Sequence, residues 1–104
     1  MDYKVIWTDP AIDDLHQIVA ALAPVNPDHA RGTGHAILDH AEVLASFPWL
    51  GPVYEADAAH PVRVIFTGSH HVFYRVLESP RIVEIMHVRH TARRPPRFGT
   101  GTIQ

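Results

Sequence analysis

HHVFYRVLESPRIVEIMHV, residues 70–88, contains two β-branched and aromatic runs, His70–Leu77 and Ile82–Val88, hinged on Glu78-Ser79-Pro80-Arg81. Runs of this length bounded by turn residues read as antiparallel strands joined by a tight turn. With the turn centred on Ser79 and Pro80, Arg75 falls opposite Glu84, a cross-strand pair of opposite charge. The same register sets Tyr74 opposite Ile85, Val72 opposite His87 and His71 opposite Val88. Just upstream, Val62–Thr67 is a third such run, separated from His70 by Gly68-Ser69, so a three-stranded antiparallel meander is expected.

Further upstream the periodicity changes. Tyr3–Thr8 is a short β-branched and aromatic run that ends at Asp9-Pro10. It reads as a first strand, with Asp9 as N-cap of a helix and Pro10 as its first residue, where the missing N–H is no loss. Ala11, Ile12, Leu15, Ile18, Val19 and Leu22 then recur at the spacing of one buried helical face, leaving Asp13, Asp14, His16 and Gln17 to the wet side. Pro24 breaks this helix, and Asn26-Pro27 starts a second by the same device, running to about Phe47 with Ile37, Leu38, Ala41, Leu44 and Ala45 as its apolar stripe. Gly32 and Gly34 weaken its first half, so either another element approaches closely there or that turn frays. The expected fold is α+β in the order β-α-α-β-β-β: a helical hairpin packed on a small antiparallel sheet.

The chain has 104 residues, 46% of them apolar and 19% charged, which fits one globular domain, here placed at 1–98 with a flexible C-terminal tail at 99–104. It has no cysteine, which excludes disulfides, thiol catalysis and thiolate zinc sites. No apolar run approaches the roughly 18 residues needed to cross a bilayer, and Met1-Asp2-Tyr3-Lys4 has no secretory pattern, so a cytoplasmic protein with no membrane partner is expected. The net charge of −2 conceals a division. Residues 1–60 hold nine acids against Lys4 and Arg31, whereas residues 61–104 hold seven arginines against Glu78 and Glu84. Either the arginine-rich half meets an anionic partner, or the two halves neutralise each other across the fold.

Nine histidines are an unusual number for this length. His16, His29, His35 and His40 form no metal-binding pair at helical spacing, and His70 and His71, adjacent in a strand, point to opposite faces. His87 and His90 lie near a strand end with His71 near them, but no carboxylate joins the set, so no metal and no cofactor is expected. A serine triad and a phosphate loop are also missing: no Gly-x-Ser-x-Gly occurs, and Gly32-Thr33-Gly34 lacks both a preceding strand and a following Gly-Lys. The segment His87–Arg94 concentrates five cationic or titratable side chains in eight positions. Such a set binds phosphates or acidic peptides, or is a solvated strand end. Cleavage of RNA needs a base, an acid and cations, which His71, His87, His90, Arg63 and Arg93 supply by type.

Several pieces in fixed order carry a resemblance over nearly the whole chain. They are Val5-Ile6-Trp7-Thr8 with Ala11, Asp14-Leu15 and Ile18; Asn26-Pro27 with Ala30; and Phe47-Pro48-x-Leu50-Gly51. Val62-Arg63 and Val72-Phe73-Tyr74-Arg75-Val76 follow, then Ile85-Met86-His87-Val88-Arg89-His90-x-Ala92-Arg93-Arg94-Pro95. Together they resemble the ParE/RelE superfamily of toxins from type II toxin–antitoxin modules, often called plasmid stabilisation proteins.

The resemblance implies growth arrest in bacteria and an antitoxin partner whose flexible C-terminal segment masks the toxin, in a homodimer or a heterotetramer with the antitoxin. RelE-like members are ribosome-dependent mRNA endonucleases, and ParE-like members poison DNA gyrase. The RelE pattern has lysines in the first meander strand, where Val62 and Val64 flank Arg63 here, and an arginine where His71 stands. It also has a tail tyrosine near Arg97 and Phe98, but no tyrosine follows Tyr74 in this chain. The resemblance therefore lies closer to the ParE side, with Arg63, Tyr74, Arg89, His90, Arg93 and Arg94 as target- or antitoxin-binding residues. No catalytic residue is assigned on that side. The ribonuclease alternative would use His71, His87, His90, Arg63 and Arg93. A third reading is a homologue whose toxicity is lost.

Overall fold

Thr8 ends the first strand and starts the first helix. Its hydroxyl accepts from the Ala11 N–H at 3.4 Å, so the N-cap is Thr8, one residue before the expected Asp9, which lies in the first turn. The capping preference of Asp and Thr is similar, and backbone extension at Thr8 decides between them. In the computed structural model, which describes residues 2–56, 59–94 and 98, the order is β1 (Lys4–Trp7), α1 (Asp9–Leu22), α2 (Pro27–Val43), β2 (Val53–Glu55), β3 (Val62–Thr67), β4 (His70–Glu78) and β5 (Arg81–His90). The expected tail at 99–104 lies outside the described residues.

Asn26 caps α2 as expected, its Oδ1 accepting from the His29 N–H at 3.0 Å. The helix ends at Val43, not near Phe47, because the chain tightens there into turns, with Ala45 and Ser46 donating to Glu42 and Val43. Gly34 marks the close approach of the two helices: a Cβ there would lie 3.1 Å from Val19 Cγ2. Space around Gly32 is open.

The strands form one sheet in the order β1-β5-β4-β3-β2. The sheet is mostly antiparallel, but β1 joins β5 in parallel through the helical hairpin, and β2 adds a strand that the sequence reading did not contain. Three residues between Pro52 and a polar stretch are too few to show a period. The meander has the expected strands. Arg75 is opposite Glu84 and Tyr74 opposite Ile85, as the turn geometry requires. Beyond Tyr74 the register moves by one: Phe73 meets His87, Val72 meets Val88 and His71 meets Arg89. Met86 is the extra residue of a β-bulge, and this corrects the pairings expected for Val72 and His71.

The helices cover one face of the sheet. Ala11, Ile37, Ala41 and Leu44 pack there against Ile65, Val72, Tyr74, Val76, Val83, Ile85 and Val88. Ile12 and Leu38, expected in the apolar stripes, lie at the edges of the helix faces and stay more than a third exposed. The opposite face carries a smaller cluster of Val62, Val64 and Phe73 with Met86 and Phe98.

Behind the helices, the turn into β2 is tied to the sheet at one residue. The Gly51 N–H donates to the Tyr74 hydroxyl at 2.8 Å, and the Gly51 carbonyl accepts from Arg63 at 2.7 Å. A Cβ on Gly51 would meet the Val64 carbonyl oxygen at 2.3 Å, so only glycine fits. Tyr74→Phe strands a buried N–H and should destabilise the fold by about 1–3 kcal/mol. Chemical denaturation of the purified chain measures this, and an unchanged midpoint would refute the tie.

Candidate functional site

β1 covers β5 only from Ile82 to Ile85. Past that point, residues of α1 and its cap take over the exposed edge. The Thr8 hydroxyl donates to the Ile85 carbonyl at 2.8 Å, and the Asp14 carboxylate accepts from the Val88 N–H at 3.0 Å. The same Asp14 oxygen lies 2.9 Å from His87 Nδ1 and 4.0 Å from Arg89 Nε. Asp14 is thus not on the wet side of α1 but half-buried against the sheet. Its sequence spacing does not reveal this, because the partner is a strand edge more than seventy positions away.

Beyond Asp14 the helices and the end of the sheet diverge into a cleft of about 750 Å³. Its walls include Ile18, Leu22 and Ile37 from the hairpin, and His70, Arg89, His90 and Arg93 from the β4 start and the β5 end. His70 is 7% exposed, and its ring meets that of His90 edge to face at 5.2 Å. Burial holds the His70 imidazole below its ordinary 6.5, and the neighbouring His90 pushes the same way. The His90 Nδ1 accepts from the Ala92 N–H at 3.0 Å, which leaves Nε2 to carry the proton of the neutral ring.

The expected site residues separate into three places. Arg89, His90 and Arg93 share the cleft, and Arg94 is exposed just beyond it. His71 lies on the helix-free face of the sheet between Phe66 and Phe73, at ring distances of 4.3 and 5.8 Å. Arg63 is at the Gly51 turn, its guanidinium 5.1 Å from the Trp49 ring centre. Tyr74, expected as a contact residue, is fully buried, and this corrects its assignment to a binding surface. Burial raises its phenol above the ordinary 10.0 against the opposing pull of the Gly51 N–H and Arg63. The set His71, His87, His90, Arg63 and Arg93 is therefore not assembled as one constellation. Asp14 and His70 were missed by the sequence reading. Among the described residues no three metal-ligating side chains gather, and no helix is long and apolar enough to cross a membrane.

Residues 5–95 match the family model described as the ParE toxin of type II toxin–antitoxin system, parDE. No curated protein matches the chain in sequence. Among solved structures, a chain of the chromosomal ParDE TA system from P. aeruginosa superposes with a TM-score of 0.70 at 18% identity, covering 85% of this chain and 95% of that one. A chain from the toxin–antitoxin complex RelBE2 of Mycobacterium tuberculosis gives 0.63 at 22% identity, covering 86% and 99%. One from the archaeal RelE–RelB complex of Pyrococcus horikoshii OT3 gives 0.64 at 16% identity, covering 90% and 100%. At these identities the structures establish a shared fold.

Two outcomes follow from this geometry. Asp14→Ala leaves the Val88 N–H unpaired and should lower stability by about 1–3 kcal/mol, with faster hydrogen exchange at Val88 as the local readout. Because folded His70 resists a proton that the unfolded chain accepts, stability should fall as pH drops below 6.5. Denaturation across that range should show a shallower fall for His70→Gln, and equal slopes would refute the assignment.

Proposed function

Since the chain belongs to the ParE toxin family of type II toxin–antitoxin systems, we propose that it arrests bacterial growth by binding a protein target, DNA gyrase, and not by cutting RNA. The observation that carries this reading is the distribution of the candidate residues. His71 and His87 flank Phe73 on the open sheet face, with His87 held to Asp14, whereas His90 and Arg93 line the cleft and Arg63 is spent on the Gly51 carbonyl. General acid–base cleavage needs base, acid and cations around one phosphate. Arg89, His90 and Arg93, by contrast, stand together at the end of β5, as a binding surface requires.

A cognate antitoxin neutralises the toxin in the cytoplasm. The similar structures are described as toxin–antitoxin systems and complexes, which supports such a partner. The charge distribution favours an acidic antitoxin segment over the arginine-rich end, because complementary charge sets orientation and association rate. Exposed Phe47, Trp49, Leu50 and Val53 offer it apolar anchors near the β2 edge.

Expression of the chain alone in a bacterium carrying a DNA-damage reporter tests the target. Arrest with the reporter on, and a gyrase supercoiling defect in extracts, is the expected outcome. Arrest with a silent reporter and cleaved mRNA would overturn it in favour of ribosome-dependent cleavage. Reversing two exposed charges, Arg93→Glu with Arg94→Glu, should weaken target binding by about tenfold or more through the loss of steering, while His71→Gln leaves toxicity unchanged.

A further inference from the structure

We propose that the cleft between the helical hairpin and the end of β5 is a binding pocket for a small phosphate monoester, its phosphoryl group held by His70, His90 and Arg93 and its apolar body lying along Ile18, Leu22 and Ala36. The cleft volume of about 750 Å³ lies within the range of small-molecule sites. Its lining combines an aliphatic wall from the two helices with a cationic wall from the sheet, which is the shape of a site for an amphipathic anion.

The cationic wall is built, not incidental. His70 is more than nine-tenths buried, yet among the described residues its ring makes a contact with His90 and no hydrogen bond. The one enclosed side-chain nitrogen or oxygen without a partner among the described residues is Arg75 Nε, so the His70 ring nitrogens open onto the cleft, where a ligand can replace water as their partner. The groups that face it are His90, Arg89 and Arg93 from the β5 end, Asp14 from α1, His29 from α2 and the Thr67 hydroxyl from β3. Thr67 is already engaged with His40 Nδ1, and Asp14, the one acid of the lining, is engaged with the Val88 N–H and His87. The remaining groups are donors or cations. His90 offers Nε2–H, since its Nδ1 is occupied by the Ala92 N–H.

The donor set favours a phosphoryl group. A monoester carries close to two charges at neutral pH and three acceptor oxygens, which match the three donors His70, His90 and Arg93. A carboxylate carries one charge, and a nucleic-acid diester carries one per phosphate against nearly two for a monoester. Anion binding also restores to His70 the proton that burial disfavours, so binding takes up a proton and tightens as pH falls through the ordinary imidazole range.

The test uses the full chain with phenyl phosphate as probe, by titration calorimetry at about pH 6 and about pH 8 and by imidazole NMR. The expected result is a shift of the His70 and His90 ring signals and binding at least about tenfold tighter at the lower pH. Arg93 is exposed, so Arg93→Gln leaves the fold intact and should weaken binding by about tenfold while keeping the pH dependence. His70→Gln should remove most of the pH dependence. Binding that ignores pH or Arg93→Gln, ring signals that do not move, or equal affinity for inorganic phosphate or benzoate would each overturn the proposal. So would tighter binding of a short RNA. The pocket shares His90 and Arg93 with the surface proposed for the protein partners, but binding is read on the isolated chain and growth arrest in cells, so the two readings fail separately.

Discussion

At Ile85 the edge of β5 passes from a strand to a helix. Up to that residue β1 satisfies the edge in parallel. After it, the Thr8 hydroxyl and the Asp14 carboxylate take over, pairing with the Ile85 carbonyl and the Val88 N–H. An edge that keeps unpaired backbone groups invites another strand, and covering it with side chains from a helix removes that hazard. The handover also sets the position of α1. Asp14 fixes the helix to the sheet between one and two turns past its cap, and the cleft lies beyond it between the hairpin and the β5 end. The bulge at Met86 belongs to the same arrangement: with one extra residue, His87 lies opposite Phe73 while its Nδ1 reaches Asp14.

A second tie, at Gly51, determines where positive charge is left over. Arg63 is used on the Gly51 carbonyl and the Trp49 ring, and Tyr74 on the Gly51 N–H. Arg89 leans on Asp14. The division of charge along the sequence is therefore bridged inside the fold at Asp14. Arg93 and Arg94, among the described residues, make no ion pair and remain as the surplus at the end of β5. Neutralisation across the fold is therefore present at Asp14, and it stops short of the end of β5.

The meander was legible because its signals are local. β-branched runs, a two-residue turn at Gly68-Ser69 and a four-residue break at Glu78-Ser79-Pro80-Arg81 fix three strands and half of the register, with Gly68 at φ +58 serving the first turn. The proline-led helix starts were legible for the same reason. What escaped depends on distant partners. A bulge one residue long shifts His71 from Val88 to Arg89 without altering the alternation that a sequence displays. Asp14 reads as a surface acid on α1, since nothing in its own helix tells that a strand edge will end beside it. The resemblance counts Tyr74 among the binding residues, yet it takes the helix face of β4, where a phenol is tolerated because the Gly51 N–H meets its oxygen.

The histidines illustrate how a residue type misleads when counted apart from its contacts. Imidazole is small, flat and able to donate at one nitrogen while accepting at the other, so it serves crowded junctions where a longer polar side chain would not fit. His40 pairs with the Thr67 hydroxyl at 2.6 Å, His87 with Asp14, His90 with the Ala92 N–H and His71 with two phenyl rings. Each of these joins one element to a neighbour or closes a turn. Three sit at the end of the sheet because that is where strand edge, helix face and turn converge and where backbone groups most need side-chain partners. His70 differs in being the one buried histidine among the described residues, with the His90 ring as its neighbour and its nitrogens open to the cleft, and that placement says more than the number of histidines.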